Sequence, residues 1–145
     1  MGKLYRSSDF GKNIISNNNI ARQALQNEND ELELELLSEE KELSELRKTL
    51  SLDKFGPKAL KFDEKVSIIR TEQGIKEEDL KNMARQEEAG FYKKIYPLLY
   101  ELLLDRGGLL LIDKRNVILW DSSVDITDDA IELINRVLSN SIKSN

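Results

Sequence analysis

Apolar residues recur at alternating spacings of four and three along much of the chain between Phe10 and Arg106. In the first half of this stretch, one set repeats every seven residues from Leu25, and a second set that starts at Asn29 interleaves with it. A heptad sustained in this way is typical of a coiled coil, so the pattern predicts two long helices that pair as antiparallel arms. The predicted seam residues are Leu25, Leu32, Leu36, Leu43, Leu46 and Leu50 in the first arm, and Phe62, Val66, Ile69, Leu80 and Met83 in the second.

Polar residues interrupt the predicted seam in both arms. They are Asn29 and Glu39 in the first arm, and Gln73, Lys76 and Glu87 in the second. A seam with these residues buries less apolar surface than a seam of leucines. We therefore expect each arm to depend on the other and to remain compliant.

Residues 51–57 separate the two helical patterns and predict the turn at the tip of the arms. Gly56 and Pro57 favour a break in the helix at this point. We interpret Leu52 and Phe55 as packing between the two arm ends. The alternative is that they are exposed anchors for a bound polypeptide.

Charge is distributed unevenly along the arms. Between Glu28 and Glu45 there are nine acids and one base, whereas bases exceed acids from Arg47 to Arg70. The simpler interpretation is that these runs are solvated helix faces. The alternative is that a basic tip contacts anionic partners or a membrane surface. The tip residues are Arg47, Lys48, Lys54, Lys58 and Lys61.

Residues 91–106 are denser in apolar residues than the arms, which predicts a more deeply buried helix. The apolar spacing continues across Pro97, so we expect a kink there and not an end. Gly107 and Gly108 then predict the terminus of this helix.

Two apolar runs, 109–112 and 117–120, flank the polar turn Asp113-Lys114-Arg115-Asn116 and predict a β-hairpin. Neither run alternates, so both faces must be covered by helix ends, by other strands or by further copies of the chain. Two strands alone do not form a stable sheet, and we therefore expect several copies to share them. The predicted oligomerisation residues are Leu110, Ile112, Val117, Leu119, Trp120 and Ile126.

The predicted fold class is α+β and mostly α: a long antiparallel helical hairpin attached to a small β-strand body that oligomerises. Residues 1–20 and 91–145 are assigned to the body and residues 21–90 to the arm. A last helix is predicted at about residues 127–140, with Asp125 or Thr127 as its cap. The run Asn17-Asn18-Asn19 is poor in helix propensity and predicts either a distortion or a junction between body and arm.

The composition excludes several classes of function. The 145-residue chain contains no cysteine and no histidine, which removes thiol nucleophiles, imidazole bases and the commonest zinc ligands. We therefore expect no enzyme and no catalytic, cofactor-binding or metal-binding residues. We also expect no nucleic-acid partner. No apolar run approaches the roughly 20 residues that a spanning helix needs. The first ten residues lack the apolar core of a signal peptide, so we expect that an exported form has lost its leader.

The order of these elements resembles the Skp (OmpH-like) family of periplasmic chaperones, in particular an alphaproteobacterial-type branch. The resemblance extends from about Leu4 to Val137, and its specificity lies in the order of the motifs. They are Phe10-Gly11-Lys12, Glu39-Glu40-Lys41-Glu42-Leu43, Leu46-Arg47-Lys48-Thr49-Leu50, Phe62-Asp63-Glu64-Lys65-Val66, Arg70-Thr71-Glu72-Gln73, Leu110-Leu111-Ile112-Asp113, Val117-Ile118-Leu119-Trp120 and Val124-Asp125-Ile126-Thr127.

The resemblance implies a homotrimer whose strands form a barrel-like body and whose helical hairpins enclose a cavity. Unfolded outer-membrane proteins would be held there, in the periplasm and without ATP. It also implies a first strand immediately before Leu4, where only Met1-Gly2-Lys3 stand, so we expect that strand to be missing here. Well-known members of the family it resembles are strongly basic, whereas this chain has a net charge of −5. Weak contact with a membrane surface or lipopolysaccharide is therefore expected at the basic tip alone.

Two functions of other kinds stay open at this point. One is a structural coiled-coil scaffold or adaptor protein without chaperone activity. The other is a prefoldin-like holdase, although chains of that type usually place their hairpins between the two helices and not after them.

Overall fold

The computed structural model describes the backbone of residues 1–142 and the side chains of residues 1–138. Over this range the chain forms four α-helices and two short 3₁₀ turns. The helices are α1 (Gly2–Ser7), α2 (Asp9–Thr49), α3 (Leu52–Asp105) and α4 (Thr127–Ile142), and the 3₁₀ turns lie at Lys114–Asn116 and Ser122–Val124. The mostly helical part of the predicted fold class, with its long helices, is confirmed.

The chain divides into two compact units. We call Met1–Asn18 together with the chain from Met83 onward the body unit, and Asn19–Asn82 the arm unit. The functional assignment of residues 1–20 and 91–145 to oligomerisation, and of 21–90 to an arm, stays a prediction.

Ser8 separates α1 from α2 and caps the second helix. Its side chain is fully buried, and its Oγ accepts a hydrogen bond from the backbone N–H of Gly11 at 3.3 Å. This bond satisfies a first-turn N–H that has no acceptor within the helix. Gly11 is needed because a Cβ at this position would overlap the carbonyl oxygen of Tyr5. The Phe10-Gly11-Lys12 motif thus lets α1 approach the first turn of α2.

The asparagine run lies inside α2, and the helix continues through it without a break. Asn17 Nδ2 donates to Asn13 Oδ1 at 3.2 Å, and Asn18 Nδ2 donates to Glu87 Oε2 at 2.7 Å. These side chains bond to other side chains, so they do not compete for the backbone of the helix. The boundary between the body unit and the arm unit falls between Asn18 and Asn19.

The end of α3 is set by the glycine pair, as predicted. Gly107 adopts a φ of +64°, which glycine reaches without steric cost. Its N–H donates to the carbonyl of Leu104 at 2.9 Å, and the N–H of Gly108 donates to Leu103 at 2.8 Å. This pair of bonds is a Schellman motif, which satisfies carbonyls that the last turn leaves free. Upstream, α3 continues across Pro97.

The core of the body unit joins α1, α3 and α4. Phe91 is its aromatic centre: its ring lies 5.0 Å from that of Tyr5, edge to face, and 6.1 Å from that of Phe10. Such arrangements add to the free energy of burying the rings. The buried apolar residues are Leu4, Phe91, Ile95, Leu99, Ala130, Ile134 and Leu138.

The structure contains no β-strand among residues 1–142, so the predicted strands at 109–112 and 117–120 are not found. Between them, the backbone N–H of Asn116 donates to the carbonyl of Asp113 at 2.8 Å, and the segment winds into a 3₁₀ turn. A strand needs backbone partners on a neighbouring strand. No such partner lies beside either segment within the described part of one copy, and the two segments therefore remain irregular.

The arm unit contains the turn between α2 and α3, which is tighter than predicted. α2 ends at Thr49 and α3 begins at Leu52, so only Leu50 and Ser51 lie between them. Gly56 and Pro57 lie inside the early part of α3 and not in the turn. In the first turn of α3, the N–H groups of Lys54 and Phe55 donate to the carbonyl of Ser51 at 3.1 and 2.9 Å.

Candidate interaction surfaces

Residues 109–126, which we call the connector, link α3 to α4 and expose most of their apolar side chains. The exposed fraction is 99% for Leu109, 72% for Leu110, 93% for Ile118 and 86% for Leu119. Contiguous apolar residues in water mark interaction sites on folded proteins. Of the predicted oligomerisation residues, Leu110, Ile112, Leu119 and Trp120 are exposed, whereas Val117 and Ile126 are half-buried.

Polar contacts hold the connector in shape while its apolar side chains face outward. Asp113 Oδ1 accepts from the backbone N–H of Arg115 at 3.0 Å, and its other oxygen accepts from the Arg115 guanidinium at 2.8 Å. These bonds hold the pKa of the Asp113 carboxyl well below its usual value. Lys114 Nζ lies 2.8 Å from Asp125 and 4.5 Å from the centre of the Trp120 ring.

Leu109 and Ile118 are the most exposed large apolar residues of the connector and were absent from the predicted set. The sequence does indicate that these two residues belong to that set, because both lie in apolar runs that do not alternate with polar residues. A run of this type supplies apolar side chains to both faces of an extended segment. The sequence analysis required both faces of each run to be covered, but the predicted set left these two residues out.

The predicted seam residues of the arms are half-buried, except that Leu46 and Met83 are exposed. Met83 is 55% exposed, and the neighbouring Ala84 is half-buried in its place. The difference follows from helix geometry. A heptad assumes 3.5 residues per turn, so in a straight helix of 3.6 residues per turn the contact face drifts along the sequence.

Lys65 forms a polar layer across the two arm helices. Its Nζ lies 2.8 Å from Glu35 Oε1 and 2.6 Å from Glu39 Oε2, which are one helical turn apart on α2. Hydrogen bonds to both carboxylates raise the pKa of Lys65. The polar interruption that the sequence places at Glu39 is thus matched by a base on α3.

A second polar layer lies further along the same unit. Glu28 Oε1 accepts from Gln73 Nε2 at 3.0 Å and also binds Lys76 Nζ. Hydrogen bonds from Lys76 and Gln73 lower the pKa of Glu28. Gln73 Oε1 is buried and has no hydrogen-bond partner among the described residues, which is costly for a polar atom.

Replacing Gln73 with leucine should stabilise the arm unit. The change removes a buried, unpaired oxygen and loses one hydrogen bond to Glu28, which keeps Lys76, so the expected gain is about 1 kcal/mol. The gain in stability should appear as slower hydrogen exchange of the α3 backbone amides around residue 73. Gln23→Leu is the control, since Gln23 is exposed on α2. Protection that falls, or that rises equally in the control, would contradict the prediction.

The outer faces of the arm helices carry exposed apolar residues that sequence reasoning missed. The exposed fraction is 69% for Leu34 and 63% for Leu37 on α2, and 57% for both Ile68 and Ile75 on α3. The heptad search assigned apolar positions to a single seam, so residues off that seam were left unexplained. A spacing of seven between Ile68 and Ile75 was the available indication of a second apolar row.

The tip of the arm unit is basic and exposes two large apolar residues, Leu52 and Leu60. The five predicted tip residues, Arg47, Lys48, Lys54, Lys58 and Lys61, are all exposed. Leu52 is 87% exposed, whereas Phe55 is half-buried. The interpretation of Leu52 as packing between the arm ends is therefore wrong. The turn is so short that Leu52 already begins α3, beyond the last half-buried seam residue of α2, Leu50.

Over residues 1–142, no helix is both long and apolar enough to cross a membrane. The same described residues hold no cluster of three or more side chains that could bind a metal ion.

Comparison with known proteins identifies the family. The sequence pattern of the family named Outer membrane protein (OmpH-like) matches residues 1–134. The chain belongs to the OmpH-like family. The resemblance predicted from the sequence is thereby confirmed, and the match includes both the arm unit and the connector of this OmpH-like protein. No curated protein matches the sequence.

The OmpH-like chain also shares its fold with a solved structure. A crystal structure from Caulobacter crescentus CB15 at 2.83 Å resolution, described as an OmpH-like outer membrane chaperone, superposes with a TM-score of 0.88. The two chains are 17% identical, and the similarity covers 94% of this chain and 80% of that one. At this identity the likeness establishes the common fold.

Proposed function

We propose that this OmpH-like protein is a holdase chaperone of the periplasm. It keeps unfolded outer-membrane proteins from aggregating and needs neither ATP nor a cofactor. Membership of the OmpH-like family supports a chaperone as the class of function and the outer-membrane pathway as its setting. The proposed activity is binding without chemistry, so the protein is not an enzyme.

The observation that carries the proposal is the exposed apolar connector. Burying a leucine or isoleucine side chain contributes about 1.5–3 kcal/mol. Four such side chains that are more than 70% exposed, Leu109, Leu110, Ile118 and Leu119, therefore favour association by several kcal/mol per copy. In the proposal, three copies pair residues 109–112 and 117–120 as strands, and each copy supplies the backbone partners that a single copy lacks.

The arm units then provide the surface that holds the client. Their polar seam layers and the scattered apolar residues of their outer faces suit weak contacts distributed over a long surface. Contacts of this kind can retain many different sequences without selecting one pose. The exposed bases of the tip suit weak contact with an anionic membrane surface or with lipopolysaccharide.

An aggregation assay tests the proposal. A urea-unfolded β-barrel protein is diluted into buffer with and without the assembled protein, and light scattering is followed. We expect scattering to be suppressed at about one trimer per client, because an enclosed client cannot meet a second one. An equal mass of an inert helical protein is the control. Unchanged scattering would favour a structural scaffold without chaperone activity.

A further inference from the structure

The net charge of the chain lies entirely on the arm unit. The body unit contains eleven acids and eleven bases, whereas Asn19–Asn82 contains sixteen acids and eleven bases. We call residues 19–45 and 63–82 the arm shaft. It holds fifteen acids and only six bases, so the shaft is strongly anionic and the short tip is cationic.

Three of the six bases in the shaft are engaged by acids of the arm unit itself. Lys65 binds Glu35 and Glu39, and Lys76 binds Glu28, all across the two helices. Lys81 binds an acid on its own helix at 2.7 Å. These bases are therefore not available to neutralise the outer faces of the shaft.

On the outer face of α2, two exposed apolar residues, Leu34 and Leu37, have acidic neighbours. Leu34 follows Glu31 by three positions. Leu37 follows Glu33 by four positions and precedes Glu40 by three. Residues at these spacings are adjacent on a helix surface. All three acids are exposed, and none has an ion-pair partner within the described residues.

The outer face of α3 repeats the arrangement. Ile68 has Glu64 four positions before it and Glu72 four positions after it. Ile75 has the same Glu72 three positions before it and Asp79 four positions after it. These acids are also exposed. Both helices of the shaft thus present exposed apolar side chains with several adjacent carboxylates. Lys41, four positions after Leu37, is the one adjacent base that no acid engages within the described residues.

We propose that these outer faces bind segments of unfolded client in which apolar residues stand close to lysine or arginine. The inference rests on the proposed holdase function and specifies the class of segment that the shaft takes. The apolar side chain of the segment covers Leu34, Leu37, Ile68 or Ile75, and its base pairs with the adjacent carboxylates. An acidic segment meets the same apolar residue with like-charge repulsion, which disfavours its binding.

The test compares two labelled, unfolded peptides of equal length and equal apolar content. One carries lysine and the other glutamate at the same positions, and binding to the full-length protein is followed by fluorescence anisotropy. At low salt we expect the lysine peptide to bind about tenfold more tightly than the glutamate peptide. A few exposed ion pairs together supply the free energy that this ratio of dissociation constants requires. At about 1 M salt, where the Debye length is roughly 3 Å, the difference in affinity between the two peptides should vanish.

Two pairs of variants locate the surface. Glu33→Gln/Glu40→Gln/Glu72→Gln should lose most of the preference for the lysine peptide. Its control, Glu101→Gln/Asp105→Asn/Glu132→Gln, removes the same charge from exposed positions of the body unit and should keep the preference. For the apolar contribution, Leu34→Ser/Leu37→Ser should weaken lysine-peptide binding several-fold. Leu52→Ser, at the basic tip, should not weaken it.

The outcomes separate this inference from the proposed function. If the protein suppresses client aggregation but binds both peptides equally, or if the acidic triple variant keeps its preference, the inference is overturned and the holdase stands. If neither peptide binds and the client aggregates, the holdase itself is overturned. A lysine preference that only the arm variants remove establishes the inference.

Discussion

If the proposed trimer forms through the connector, replacing Leu119 with aspartate should yield a folded monomer. Leu119 is 86% exposed within one copy, so the change should cost that copy little stability. In an assembly built on the connector, the variant forfeits about 1.5–3 kcal/mol of apolar burial per copy. It also places a carboxylate where no partner is available, which costs more. Trp120→Asp should act in the same direction.

Solution mass and helix content together decide this prediction. Light scattering should report about one third of the parental mass for Leu119→Asp, and circular dichroism should report unchanged helix content. Ser122→Asp is the matched control, since it adds the same charge at an exposed polar position of the connector and should leave the mass unchanged. A Leu119→Asp protein that keeps the parental mass would remove the connector from the interface.

Replacing Phe91 with alanine should cost the body unit about 3–5 kcal/mol, which is usual for deleting a buried aromatic ring. Only 1% of Phe91 is exposed, and its ring contacts those of Tyr5, Phe10 and Tyr92. The deletion therefore opens a cavity between α1 and α3 that its surroundings can fill only in part. Such a loss is a large share of the stability of a small unit.

Urea unfolding of the parental protein and of Phe91→Ala measures the difference in their free energies of unfolding. Both should carry Leu119→Asp, so that protein concentration does not enter through assembly. Tyr96→Ala is the control, because Tyr96 lies on the same helix and is 56% exposed. It should lower the free energy of unfolding far less than Phe91→Ala. Equal losses for the two variants would show that Phe91 is not the centre of the core.

The long helices could be predicted because their information is local. The heptad that starts at Leu25 predicts a helix from its periodicity, and the glycine pair at residue 107 predicts the end of one from its backbone conformation. Each signal depends only on residues nearby in the sequence. The need for glycine at position 11 could not be predicted in this way. It arises from the carbonyl of Tyr5 on another helix, and sequence spacing does not reveal that approach.

The connector and the outer faces of the arm are two features that were not predicted correctly from the sequence. Apolar runs at 109–112 and 117–120 predict strands, but pairing requires a second backbone, and one described copy does not contain it. Leu34 and Ile75 were missed for a different reason. A periodicity analysis gives each helix one contact face, so an exposed apolar residue away from that face has no place in it.

The bridge made by Lys65 determines how the arm can deform. Its ammonium binds two carboxylates that are one turn apart on the opposite helix. Sliding Lys65 by one turn, about 5.4 Å, toward the C-terminal end of α2 would leave it with Glu39 alone, since the next residue on that face is Leu43. Bowing both helices together keeps all three groups in place. The bridge therefore opposes a slide in that direction and does not oppose bowing, which would let the arm curve around the client of the proposed function while the two helices stay in register.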